Sequence, residues 1–333
     1  MIALALAASV AAPALMPPGF AGVAVVVEAA SGRVIAGGPA GTVALEPRRR
    51  FDLTSRWRLA SFTKQVVATL VMQSVEAKRL ALDDDVSRWL PAFAGRGVTV
   101  RSLLTHRSGV AYPDASDAAV NDYYARDEAG QRAFCGDAPR AAAGGAVQYN
   151  NCDYVVLGAL LERIERKPWF ALVEQRVNRR AGTRFTLDDT GAYIGSFDGK
   201  REQPVRAQAF GAAGGLHGSV RDVIAFDRAL MTGKLVSPAS RAALWAGDPA
   251  NGSVALGQWS YVARLQGCER PQAIVERRGQ IGGVQLRNFI FPASGRMLVV
   301  LTDRGRQEFG EVWQGRGVSY DMASAAVCTG GPR

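Results

Sequence analysis

A chain of 333 residues with 48% hydrophobic content can bury a large core, which excludes a wholly disordered protein and admits one large domain or two interleaved subdomains. The formal charge is +10, and of the 40 basic residues only Lys64, Lys78, Lys167, Lys200 and Lys234 are lysines. The arginines are scattered singly or in short groups such as Arg48 to Arg50 and Arg277 with Arg278, without a basic tail, a zinc finger or an aromatic-rich RNA-binding signature. Nucleic acid is therefore not the expected partner, and an anionic substrate or cell envelope suits the charge equally well.

Residues 1–16 are apolar and rich in small side chains, with Ser9-Val10-Ala11 and Ala12-Pro13-Ala14 as signal-peptidase sites, although no Lys or Arg precedes them. The expectation is a signal peptide over 1–16 and a periplasmic or secreted protein. Gly22 to Ala30 predicts a strand, Ser31-Gly32 a turn and Arg33 to Ala36 a returning strand, a hairpin that begins an antiparallel sheet. Ser61 to Leu80 follows with apolar residues at helical spacing. From Leu82 to Val205 the signals are short helices and polar loops. Val220 to Met231, opened by Ser219 and closed near Gly233, predicts a further amphipathic helix.

Strand candidates follow at Val254 to Val262, Gln272 to Arg278, Gln285 to Phe291 and Met297 to Thr302, with a last helix at Ser319 to Ala326. Strands at both ends and helices between them imply an α/β fold, an antiparallel sheet flanked by helices with an inserted, mostly α-helical subdomain. The expected boundaries are 17–81 and 206–333 for a discontinuous α/β domain and 82–205 for the helical subdomain. The longest apolar runs, around Val66 to Val75 and Phe289 to Leu301, are broken by polar residues too early for a transmembrane span.

Four cysteines, Cys135, Cys152, Cys268 and Cys328, lack Cys-x-x-Cys spacing and suit two disulfides in an oxidising compartment better than a metal site. Three pairings are possible, and four buried free thiols are the alternative. The expected pairing is Cys135 with Cys152, which lie in one stretch, and Cys268 with Cys328, which ties the last helix to a strand. With His106 and His217 as the only histidines, a histidine-rich metal centre is not expected, nor is any other cofactor.

Ser61-Phe62-Thr63-Lys64 sets a hydroxyl and an amine three residues apart on one helix face, close enough for the amine to accept the serine proton once burial and nearby cations favour its neutral form. A serine at a helix start also offers its own backbone N–H to an oxyanion. Tyr149-Asn150-Asn151 adds a phenol as a proton shuttle and an amide able to hold a carbonyl or orient Lys64. Each motif alone is weak, and the bland reading is an N-cap serine, a surface lysine and an Asn-rich turn.

Together with their surroundings they resemble the serine β-lactamase and penicillin-binding-protein superfamily, nearest to class C β-lactamases and their esterase and peptidase relatives. Leu59 to Lys64 resembles the nucleophile segment. Leu82 to Val86 and Leu103 to Gly109 resemble two landmarks after the nucleophile helix, Tyr149 to Asn151 the Tyr-x-Asn loop, and Ala213 to Leu216 a later glycine-rich turn. The resemblance implies a serine hydrolase that forms an acyl-enzyme on Ser61, with Lys64 and Tyr149 exchanging its proton and Asn151 binding substrate. It implies β-lactam, amide or ester carbonyls in small-molecule or peptide substrates, cell-wall-derived ones among them, with a carboxylesterase or D-alanyl peptidase as the alternative. A non-catalytic sensor or scaffold that binds peptidoglycan or β-lactams is the alternative of another class. The sequence leaves the oligomeric state open.

The third family motif, a strand bearing Lys or His, then Thr or Ser, then Gly, is read here at Gly279-Gln280-Ile281-Gly282-Gly283. Gln280 then brings no positive charge, Ile281 lacks a hydroxyl, and the N–H of Gly283 is expected to complete the oxyanion hole. Arg277, Arg278 and Arg287 are the residues able to replace the missing cation. His106 is expected to make a structural hydrogen bond and not to join a Ser-His-Asp triad, since no Gly-x-Ser-x-Gly elbow is present.

Overall fold

The computed structural model describes residues 15–113, 123–137 and 139–328. The first strand, β1 (Gly22–Glu28), reads Gly-Val-Ala-Val-Val-Val-Glu and is buried at every position but the last. Such an unalternating apolar run suits a strand covered on both faces. Gly32, at φ +74°, turns the chain into β2 (Val34–Ala40). The remaining strands come from the C-terminal part: β3 (Val254–Ala255), β4 (Gln258–Ala263), β5 (Gln272–Ile281), β6 (Val284–Phe291) and β7 (Arg296–Thr302). They form one seven-stranded antiparallel sheet in the order β2-β1-β7-β6-β5-β4-β3. Val25 pairs with Val299, so the two ends of the chain share the sheet.

Side-chain alternation divides the core between the two faces. Val23, Val25, Val27, Val299 and Leu301 join the larger cluster with the helices α1 (Thr63–Glu76) and α3 (Val220–Met231), between which α2 (Asn151–Glu165) is inserted in the chain. Ala24, Val26, Leu298 and Val300 point the other way, beneath Met322, Ala323 and Ala326 of the last helix, α4 (Val318–Val327). The described part of 82–205 adds helices, among them Val100–Leu104 and Glu128–Cys135, and a two-residue ribbon of Ser196–Phe197 with Lys200–Arg201. Among the described residues no helix is long and apolar enough to cross a membrane. Residues 1–14 of the expected leader lie outside the described residues, while Leu15 is buried and Met16 packs beside it.

Two expected elements differ in extent. The strand read as Val254 to Val262 is a hairpin, because Gly257 takes φ +85° and reverses the chain. The helix read from Ser61 begins at Thr63, after a single 3-10 turn over Ala60–Phe62. α1 is buried from Thr63 to Ser74, so its polar residues need partners. Gln65 Nε2 donates to Gln258 Oε1 at 2.6 Å, and Asn288 on β6 donates to Gln65 Oε1 at 3.3 Å and to Asp227 on α3 at 3.2 Å. These bonds fix α1 against the sheet and the third helix.

Both disulfides form as expected, Cys135–Cys152 and Cys268–Cys328, with sequence separations of 17 and 60. Loop-closure entropy predicts about 3 kcal/mol of stabilisation from the first and about 4 kcal/mol from the second. Thermal unfolding of the two double Cys→Ser variants checks this: the larger fall in Tm is expected for the Cys268 and Cys328 pair.

Candidate active site

Ser61 stands where β-ribbon gives way to helix. Trp57–Arg58 pairs with His217–Gly218, Leu59 N–H bonds to Leu216 O at 2.9 Å, and Ala60 takes φ +49°, a left-handed turn that a non-glycine residue adopts at a cost. The following 3-10 turn feeds α1 and carries Lys64 one turn on, completely buried. An ammonium so placed needs acceptors for three N–H bonds. Lys64 Nζ finds Ala213 O at 2.7 Å, Asn151 Oδ1 at 2.7 Å and Ser61 Oγ at 3.2 Å. Burial pushes its pKa down to about 8, with the Arg277 charge adding to the effect and Tyr149 opposing it.

Tyr149 and Asn151 arrive on the loop that opens α2. Asn150 caps that helix, its Oδ1 accepting from Cys152 N–H at 2.9 Å and its Nδ2 donating to Ala111 O at 3.0 Å. Capping fixes both neighbours. Tyr149 Oη lies 2.5 Å from Ser61 Oγ, and Lys64 Nζ sits 4.8 Å from the centre of its ring. Asn151 turns its amide nitrogen away, to the Tyr124 hydroxyl at 2.8 Å. The structure thus brings Ser61, Lys64, Tyr149 and Asn151 into one hydrogen-bonded row.

The third motif requires a correction. A Cβ on Gly279 would lie 2.9 Å from Leu59 O and 3.2 Å from Ser61 N, so Gly279 is the residue that lets β5 pass the nucleophile. The motif is therefore Arg277-Arg278-Gly279, followed by Gln280. Arg277 supplies the cation that the earlier register lacked. Its Nε donates to Ser61 O at 2.8 Å, Nη1 to Gly257 O at 3.2 Å and Nη2 to Tyr149 Oη at 2.7 Å. Arg277 is buried and makes no ion pair among the described residues. The Tyr149 residue is 38% exposed, but its hydroxyl is turned inward onto Ser61 and Arg277, where desolvation alone would raise the phenol; the charges of Arg277 and Lys64 overcome it and bring the pKa down to about 8.

Gly283 does not face the nucleophile. Its N–H donates to the buried Glu202 carboxylate at 2.6 Å, which also accepts from Gly195 N–H at 3.0 Å and pairs with Arg58. Ile281 is buried in the core and not in the cleft. Gln280 lines the cleft with Ser61, Tyr149, Trp259, Arg278 and Arg287, its side-chain amide donating to Gly282 O at 3.2 Å. Its backbone faces the cleft by register: Ile281 pairs with Val284 across the two-residue turn, and hydrogen-bonding direction alternates along a strand. β4 pairs with β5 only as far as Glu276, and beyond it β5 runs beside Leu59 and Ser61. That register turns the Gln280 N–H away from β6.

Arg278 pairs with Glu311 and lies between Trp259 and Trp313, 4.4 and 5.0 Å from the ring centres, whereas Arg287 covers Phe309 at 4.6 Å. His106 is buried. Its Nδ1 lies 2.7 Å from Asp153 Oδ2 and 3.3 Å from the Asn150 backbone nitrogen. Burial drives the Asp153 pKa well up and the His106 pKa well down, which leaves the pair neutral. His217, in the ribbon with Arg58, is likewise held neutral by burial, with a pKa of about 4. Sequence reasoning missed Tyr124, which no motif marks, and misplaced Arg277, which the cation-x-Gly spacing of Arg277-Arg278-Gly279 would have found.

The family model described as Beta-lactamase matches residues 13–314. The esterase EstB of Burkholderia gladioli is 30% identical over 203 residues, 55% of this chain and 52% of its own length. Protein Rv1367c of Mycobacterium tuberculosis (strain ATCC 25618 / H37Rv) is 31% identical over 169 residues, 44% of this chain and 41% of its own. The chain thus spans about half the length, or less, of these curated relatives. Among solved structures, D-amino acid amidase from Ochrobactrum anthropi SV3 complexed with L-phenylalanine superposes with a TM-score of 0.75, covering 93% of each chain at 18% identity, which is a likeness of fold. With the family model covering nearly the whole chain, from the first strand to beyond the last, this protein belongs to the Beta-lactamase family.

Proposed function

We propose that the protein is an exported serine hydrolase that works through an acyl-enzyme on amide, ester or β-lactam carbonyls. The observation that carries this reading is the 2.5 Å contact between Ser61 Oγ and a Tyr149 phenol held at about 8 by two cations. A phenolate there accepts the Ser61 proton as Oγ attacks the carbonyl, and the buried Lys64 amine exchanges that proton across the same hydroxyl. The N–H groups of Ser61 and Gln280 receive the oxyanion that forms. Collapse expels the leaving group with the proton, and water repeats the sequence to free the acyl product. Support for the substrate class comes from the esterase and the D-amino acid amidase among the similar proteins. Two disulfides support export to the periplasm or beyond.

Intact mass after mixing with a fluorescent penicillin, and separately with p-nitrophenyl acetate, tests the mechanism. A mass increase equal to the acyl group, or nitrophenol release, is expected in the wild type and absent in Ser61→Ala. No adduct and no turnover with either reagent would leave a binding or scaffold role instead.

Lys64 and Tyr149 titrate as a coupled pair near 8, so the apparent value belongs to both. The reactive form, less one proton, grows as pH rises, so kcat/KM for a neutral ester is expected to climb and level off above about 8. Arg277→Gln removes a charge that lowers both pKa values. The rising limb then moves to higher pH, and each pH unit of displacement costs about tenfold at pH 7. Arg277→Lys keeps the charge and should keep most of the profile, and an unmoved limb in Arg277→Gln removes Arg277 from this role.

A further inference from the structure

Helix α3 opens beside a concave pocket of about 430 Å³ that shares no lining residue with the active-site cleft. Arg56, Arg184 and Arg221 line it together with Thr54, Ser219 and Asp222. Arg56 stands just ahead of the ribbon that leads to Ser61, Arg184 follows the helical turn ending at Ala181, and Arg221 lies in the first turn of α3. Their backbones are fixed: Tyr193 N–H bonds to Arg56 O at 2.9 Å, Arg184 N–H to Asp222 Oδ1 at 2.7 Å, and Arg221 N–H to Leu53 O at 3.3 Å. Three segments far apart in sequence thus deliver a guanidinium each to one hollow.

Little neutralises these charges. Among the described residues the Arg184 and Arg221 side chains make no hydrogen bond and no ion pair. Arg56 spends only Nη1, on Asp188 Oδ2 at 2.8 Å and on the Asp188 and Thr190 carbonyls at 3.1 and 3.0 Å, which leaves its Nε and Nη2 without an acceptor among those residues. Asp222 is committed to the backbone and to the helix cap, with Oδ2 accepting from Ser219 N–H at 2.7 Å and from the Ser219 hydroxyl at 2.6 Å. That capping closes the helix end, so a ligand here is held by the guanidinium groups.

Gathering like charges in one hollow opposes folding unless an anion offsets it. Planar guanidinium forks match phosphate oxygens in geometry as well as in charge. Three arginines against Asp222 leave the lining with a surplus of two positive charges, the charge of a phosphate monoester that has lost its second proton. The volume lies within the range of small-molecule sites, about 300–1,000 Å³, and leaves room for an organic group beside the phosphate.

We propose that this pocket binds a phosphate monoester, its phosphate held by Arg184, Arg221 and the free edge of Arg56. The ester is a soluble metabolite or a lipid headgroup bearing the same group. The site is independent of the hydrolase reading, and its test needs no turnover.

Titration calorimetry with glycerol 1-phosphate at fixed ionic strength is expected to show one saturable site, with no binding of glycerol. Arg184→Gln and Arg221→Gln are each expected to weaken binding about tenfold, the worth of a hydrogen bond to a charged group, and the double variant about a hundredfold. Both side chains are exposed, so the variants keep the fold, and their Tm without ligand should hold or rise as repulsion is relieved. Sedimentation with phosphatidylcholine vesicles that contain phosphatidic acid, absent with pure phosphatidylcholine and lost in the double variant, assigns the ligand to a lipid headgroup. Binding of glycerol 1-phosphate without sedimentation assigns it to a soluble ester. No saturable binding to either probe, or binding that the double variant retains in full, overturns the proposal.

Discussion

A lysine amine taken wholly out of water is the constraint on which this active centre depends. Among the described residues Lys64 touches no carboxylate, and its hydrogens are held by the Ala213 carbonyl, the Asn151 amide oxygen and the Ser61 hydroxyl, while the Tyr149 phenol beside it favours its charge. Each comes from a different stretch of chain, and each must be delivered to within hydrogen-bonding distance. The Ala212–Gly214 turn reaches its place because Gly158 on α2 leaves room, a Cβ there lying only 2.7 Å from that of Ala212. Loss of any one acceptor would strand a buried N–H, at a cost of about 1–3 kcal/mol.

The second cation compounds the demand. Arg277 spends its donors on the Ser61 and Gly257 carbonyls and on Tyr149, so it cannot turn away to bind a substrate carboxylate. Arginine holds its charge at any accessible pH, and its planar fork fixes the Tyr149 oxygen in direction as well as in charge. Two positive groups and one phenol share a small volume, and the stable arrangement is one in which the phenol is ready to ionise. The Arg58–Glu202 pair plays a separate part, holding the Gly282–Gly283 turn through the Gly283 N–H and thereby the end of β5 that passes Ser61.

Much of this architecture was legible in the sequence because it rests on local pattern. Val220 to Met231 has a cap, a helical stripe and a stop, and the helix forms over those residues. Ser61, Lys64, Tyr149 and Asn151 were legible because their spacing carries chemical meaning. Gly283 was misread because a run of glycines is ambiguous in register: only the approach of β5 to Leu59 and Ser61 shows that Gly279 is the one that must lack a side chain. Arg277 stands two residues before it and looks from sequence like any surface arginine on a strand. Tyr124 is invisible for a different reason, since its position follows from tertiary packing against Phe210 and from an amide orientation set by Lys64.

The strand order has a further consequence for how the molecule is made. β1 lies between β2 and β7, and Val25 finds Val299 only after the helices α1 to α3 and the strands β3 to β6 have been synthesised. Until then the first valine-rich strand has a single hairpin partner, and an isolated hairpin is marginal in water. The growing chain must therefore carry exposed apolar strand edges until β7 is delivered, and closure of the sheet is a late, long-range event of the kind that folds slowly. Once the sheet is complete, Cys268 can meet Cys328 and lock α4 over the finished strands.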